Sequence, residues 1–289
     1  MKGKLESIRA LYITVGVVSL VIGLILMSIN LYGVAQPIRK PGLGVLDQGQ
    51  LRFVPNKVWS YKQSMEAIND LGTISGRYQL AEKANEVVNR SLVHVDWNRV
   101  DPKSYRQLIP IWENYFLWAI GHFSGLPQFE RYHYADYRRN IRRGIGICGD
   151  ASTILSSVMD RYGIPNRIVS FQGHVIVEYQ DENGQDYLLD PDFGVSLGAS
   201  LSDLLRNPEG FKQPYVKAGY SVAEIDYLFE AYKKEGYSIY EDTYHFMTQR
   251  YIFENVSYGM KWLLPGFLVV LPVAGYLFYK RNAWRKIEI

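Results

Sequence analysis

A chain of 289 residues, 47% hydrophobic and 21% charged, carries enough apolar material for a core and is not the composition of an extended disordered protein. Its 32 basic and 29 acidic residues leave a net charge of +3, and no basic stripe interleaved with aromatics marks a nucleic-acid surface. A single cysteine excludes an internal disulfide framework and any zinc site built on two or more cysteines.

The first element is an uncharged run from Ala10 to Ala35. A bilayer core takes roughly 20 apolar residues in a helix, and this run satisfies that length. It is too long for a typical signal-peptide core and no clean small-x-small cleavage site follows it, so an uncleaved anchor is expected. Gln36 to Asn56, with Pro37, Pro41, Gly42, Gly44 and Pro55, predicts an irregular linker. Ala81, Ala84, Val87, Val88 and Leu92 predict helix within Val58–His94, and a second helix is expected over Tyr105–Phe123. Tyr132, Tyr134 and Tyr137 belong to a set of 23 tyrosines and are expected to pack at a domain surface.

Cys148 to Tyr162 predicts a helix stopped by Gly163 and Pro165. Short β-rich runs follow at Arg167–Phe171 and His174–Tyr179; Asn183-Gly184 then marks a hairpin turn into a return strand at Tyr187–Asp190. The acidic turn DENGQD lacks the ligand spacing of an EF-hand loop, so a solvated turn is expected there rather than a calcium site. Helices followed by an antiparallel sheet indicate an α+β domain. Tyrosine-rich helical sequence without a motif fills Leu201–Tyr258 and is expected to cover the sheet or form the membrane-proximal side.

A second apolar run, Trp262 to Tyr279, includes Pro265 and Pro272, which membrane helices tolerate better than soluble cores do. Trp262, Tyr276 and Tyr279 lie near its ends, where amphipathic rings favour headgroups. Lys2, Lys4 and Arg9 precede the first run and Lys280, Arg281, Arg285 and Lys286 follow the second, against Arg39, Lys40 and Lys261 on the inner flanks. That excess places both termini in the cytoplasm. The expected organisation is a cytoplasmic N-terminus (1–9), a span (10–35), an extracytoplasmic domain (36–260, core 143–195), a span (262–279) and a cytoplasmic tail (280–289).

The chemistry centres on Cys148, in Arg143-Gly-Ile-Gly-Ile-Cys-Gly-Asp, immediately before a helical run. A helix N-terminus favours thiolate, and Gly144, Gly146 and Gly149 allow a tight turn and close substrate approach. A thiolate catalyst needs a base, and the base needs an orienting partner. His174 and Asp190, 26 and 42 residues after Cys148, open and close adjacent strands of one hairpin, where they can lie side by side. Asp192 is an alternative third member.

Gly146-Ile147-Cys148, then Tyr162-Gly163-Ile164-Pro165-Asn166-Arg167, then His174, then Leu189-Asp190-Pro191 form an ordered set that resembles the transglutaminase-like superfamily, papain-like in topology, and suggests a bacterial, membrane-anchored member. The resemblance covers about 50 residues. It implies Cys148 as nucleophile, His174 as general base and acid, and Asp190 as orienting carboxylate, with no cofactor. Ile176 departs from the aromatic many members carry two residues after the histidine. Trp112, 36 residues before Cys148, and Gln172 are candidate second oxyanion donors, although a core tryptophan is the simpler role for Trp112.

The function so implied is a membrane-anchored cysteine acyl-transfer enzyme acting through a thioester on amide or peptide substrates outside the cytoplasm: a transglutaminase, a deamidase or a papain-like peptidase. Its partners would be a protein or peptide amide donor and the lipid bilayer. The rival expectation is a low-turnover scaffold or binding protein of an envelope or polysaccharide assembly system.

Overall fold

The structure is a computed structural model that describes residues 2–44, 51–53, 58–95, 100–234 and 236–285. The chain divides into two compact units: one comprises Met1–Pro37, Leu108–Glu130 and Phe253–Ile289, the other Ile38–Gln107 and Arg131–Ile252.

The first unit is built on two long helices, Lys2–Val34 and Thr248–Arg285. Within them Ala10–Val34 and Thr248–Arg281 are long and apolar enough to cross a membrane. At 1.5 Å rise per residue, the 25 residues of the first stretch reach about 38 Å. Only 6% of either apolar window is buried, so these are not core helices of a water-soluble domain. Leu11, Leu31, Leu271 and Phe278 are each more than 60% exposed on them. The second helix passes through Pro265 and Pro272 and begins well before the expected span at Trp262.

Polar bonds tie the Leu108–Glu130 segment to the second long helix, and that helix to the first. Lys261 Nζ donates to the Glu113 carbonyl at 2.6 Å, Tyr258 donates to the Glu113 carboxylate at 2.7 Å, and the Lys261 carbonyl accepts from Asn30 and Tyr115. Lys261 is thus a buried, bonded cation rather than a free flanking charge. The helix expected over Tyr105–Phe123 forms only at Tyr115–Phe123. Asn114 sets its start, its Oδ1 accepting from the Phe116 and Leu117 amides, and Pro110 lies just upstream. Of the basic residues that bear on sidedness, Lys286 lies outside the described residues.

The second unit is α+β. Its strands in chain order are β1 (Leu51–Phe53), β2 (Val93–Val95), β3 (Ile145–Gly146), β4 (Asn166–Phe171), β5 (Val175–Gln180), β6 (Asp186–Asp190), β7 (Val195–Ser196) and β8 (Tyr237–Tyr240). The first three form a small sheet in the order β1-β2-β3, with β2 and β3 parallel. The other five form an antiparallel sheet in the order β7-β6-β5-β4-β8. β1 falls inside the expected irregular linker, because Leu51 and Phe53 pair with β2; residues 45–50 and 54–57 of that linker, Pro55 among them, lie outside the described residues.

Alternation along β5 and β6 divides the core into two layers. Val177, Tyr179 and Leu189 face the helices Tyr61–Asp70, Arg77–Ser91 and Cys148–Arg161. Val169, Ile176 and Leu188 face the opposite layer, formed by the 193–197 segment and the helices Leu201–Arg206, Lys212–Lys217 and Val222–Lys233. The tyrosine-rich stretch therefore covers the second face of the sheet, supplying Tyr215, Tyr220 and Tyr232 to that core. Tyr132, Tyr134 and Tyr137 are buried rather than superficial: the buried Arg143 guanidinium takes the Tyr132 carbonyl and the Tyr134 ring face, and Tyr137 joins the core on the helix side of the sheet.

Candidate active site

Cys148 is the first residue of the Cys148–Arg161 helix, as expected. The approach to it is tightly specified. A Cβ at Gly146 would lie 2.7 Å from Asp150 Cβ and 3.1 Å from Leu92, so only glycine fits beside the helix start. Asp150, two residues into the helix, accepts from the Ile147 amide at 3.1 Å and caps the turn that presents the thiol. Its other oxygen takes His133 Nδ1 at 2.9 Å, with Arg143 3.8 Å away. Burial opposes charge on Asp150, yet His133 and Arg143 outweigh it and hold the carboxyl below the usual range.

His174 reaches the same place from the opposite layer. The Phe171 amide donates to the His174 carbonyl at 2.8 Å and closes a tight hairpin, whose turn needs Gly173 at φ +113°. His174 lies one residue ahead of β5 rather than at its first position. Val177 pairs with Leu189, which puts Asp190 opposite Ile176 and makes His174 its diagonal neighbour on the same face. His174 Nε2 then meets Asp190 Oδ2 at 2.8 Å, leaving Nδ1 for the thiol. Cys148 Sγ, a His174 ring nitrogen and an Asp192 carboxylate oxygen all lie within 4.8 Å of one another.

The electrostatics of the pair are one-sided. Burial disfavours the imidazolium, but Asp190 and the Cys148 sulfur more than compensate and push His174 up to about 10. Asp190 is fully buried and densely bonded: Oδ1 accepts from the Asp192 and Phe193 amides at 3.2 Å, and Oδ2 accepts from Tyr215 at 3.0 Å and Tyr232 at 3.4 Å. Burial and the neighbouring Asp190 push both tyrosines well above the ordinary phenol range, so each stays a hydrogen-bond donor.

The three expected residues are therefore brought together, with Asp190 on the histidine. Asp192, the alternative, is instead paired through Oδ1 with His94 Nδ1 at 2.7 Å. Gln172 is exposed in the hairpin turn before His174, and Trp112 belongs to the other compact unit. Sequence reasoning missed His94, His133, Asp150, Tyr215 and Tyr232. Val93-His94-Val95, a histidine inside an apolar strand, is a signal of a buried polar pair; the tyrosines lie in a stretch whose helical pattern shows no site. No family model, curated protein or solved structure matches the chain.

A partly accessible sulfur, an imidazole whose charged form is favoured by its neighbours, and a buried, hydrogen-bonded carboxylate thus lie together at this helix start.

Proposed function

We propose that the chain is a membrane-anchored cysteine acyl-transfer enzyme with a papain-like, transglutaminase-like core. The single observation that carries this is the hydrogen-bonded pair His174 Nε2–Asp190 Oδ2 at 2.8 Å, with its second nitrogen turned to Cys148 at a helix start. In the proposed cycle the Cys148 sulfur attacks an amide carbonyl carbon and His174, holding the thiol's proton, passes it to the leaving amine. Water or an amine then attacks the thioester, giving its proton to His174 as the Cys148 sulfur leaves. Asp190 keeps the ring oriented and its charge compensated throughout, and the ordered motifs from Gly146 to Pro191 support the same roles.

The two long apolar helices support membrane anchoring, and the basic residues outside them support cytoplasmic termini with the catalytic unit on the far side. The substrate class is a glutamine, asparagine or peptide amide of an extracytoplasmic protein or peptide. Incubating the full chain in detergent with glutamine-donor and peptide libraries, then following ammonia release and mass change, tests this. Turnover that disappears in Cys148→Ala is expected; turnover that persists there would overturn the assignment.

A further inference from the structure

We propose that Cys148, His174 and Asp192 form a reversible binding site for a zinc-class divalent cation, which holds the nucleophile in an inactive state. The donor set is one thiolate sulfur, one imidazole nitrogen and one carboxylate oxygen, the mixture zinc accepts. Zinc bonds of about 2.3 Å to sulfur and about 2.0 Å to nitrogen or oxygen place tetrahedral donors ~3.5 Å apart. The three donor atoms here lie within 4.8 Å of one another, a separation closed by small side-chain adjustments.

The second observation is the outer shell. Metal-bound histidines characteristically donate their other nitrogen to a carboxylate, and ligating carboxylates are themselves hydrogen-bonded. His174 donates Nε2 to Asp190 at 2.8 Å, and Asp192 is held at Oδ1 by His94 Nδ1 at 2.7 Å. Asn89 also bonds the Pro191 and Asp192 carbonyls at 3.2 Å, fixing the loop that carries the carboxylate. Asp190 holds His174 Nε2, and the acyl-transfer scheme uses that carboxylate rather than this second buried His–carboxylate pair. His94 is fully buried and Asp192 nearly so, whereas Cys148 is partly exposed and provides the entry path.

The binding step balances simply. The cation takes the thiolate sulfur, an Asp192 oxygen and Nδ1 of His174, and the proton displaced from Nδ1 goes to solvent; no electron moves. Two anionic donors offset the dication. With sulfur and Nδ1 both ligated, neither attack nor proton transfer is available. That consequence rests on the acyl-transfer reading, whereas the binding itself does not.

The test uses the full chain in detergent micelles, where Cys148 is the only thiol and alkylation by iodoacetamide reports it uniquely. Zinc chloride at micromolar levels should slow alkylation at least tenfold, EDTA should restore it, and magnesium chloride should have no effect. Measured against its own metal-free alkylation rate, Asp192→Asn should need about 10- to 100-fold more zinc for equal protection, and His94→Gln should shift the same way. Cobalt(II) added to the unaltered chain should give a thiolate-to-metal charge-transfer band, a readout that requires no variant to fold. No slowing by zinc with no cobalt band, or full protection retained in both variants, would overturn the site. Zinc protection in a chain that never forms a thioester would sink the acyl-transfer reading alone.

Discussion

At Asp190 Oδ2, three donors converge on one oxygen: His174 at 2.8 Å, Tyr215 at 3.0 Å and Tyr232 at 3.4 Å. A hydrogen bond to a charged acceptor contributes about 1.5–3 kcal/mol, so Tyr215→Phe should lower stability by about that amount in urea unfolding and slow thioester formation several-fold. Tyr232→Phe, with the longer bond, should do less. His174 gives a pH prediction with a definite sign. Its folded-state value is raised to about 10 from an ordinary 6.5, so the stability it contributes is complete below about pH 6.5 and lost as pH rises towards 10. Cys148→Ala removes one source of that rise, and thermal unfolding against pH should show its alkaline loss smaller and complete at lower pH than in the unaltered chain. Cys148, His174 and Asp190 were legible because each carries a local signal: a glycine-flanked helix start, a strand opening and an Asp-Pro strand end. Tyr215 and Tyr232 were not, because they reach Asp190 only after two helices fold over the far face of the sheet.

Among the elements, the Cys148–Arg161 helix has the sharpest specification. Asp150 caps its start, receives the half-buried His133 and sits against the buried Arg143. Asp150→Ala leaves Arg143 short of its countercharge, and removing one partner of a buried ion pair costs about 3–5 kcal/mol. Denaturant unfolding should show a loss of that size, and Cys148 alkylation should slow as the turn before it loosens. A milder substitution, Gly146→Ala, brings a methyl within 2.7 Å of Asp150 Cβ and should also destabilise the unit. This helix and the 166–190 hairpins were readable because glycine, proline and Asn-Gly punctuate them. Tyr105–Phe123 misled because its apolar content hid the cap at Asn114, and Leu51–Phe53 because a three-residue strand carries too little periodicity to stand out from a linker.

Across the whole chain, the long helices were legible from apolar run length alone, although not the extension of the second one back to Thr248. The compact unit that takes Leu108–Glu130 together with those helices was not, because it depends on bonds such as Lys261 to Glu113 that join residues far apart in sequence. The proposed topology predicts that a membrane-impermeant maleimide labels Cys148 in intact cells expressing the chain. Labelling that appears only after permeabilisation would reverse the sidedness while leaving the chemistry untouched.

The measurement closest to the central claim is the intact mass of the purified chain after brief exposure to p-nitrophenyl acetate. One acetyl group per chain is expected, removable by hydroxylamine as a thioester, absent in Cys148→Ala, and formed about 10²–10⁴-fold more slowly in His174→Ala. Acetylation at the same rate in His174→Ala, or none on Cys148 in the unaltered chain, would contradict the assignment of Cys148 and His174 as nucleophile and base.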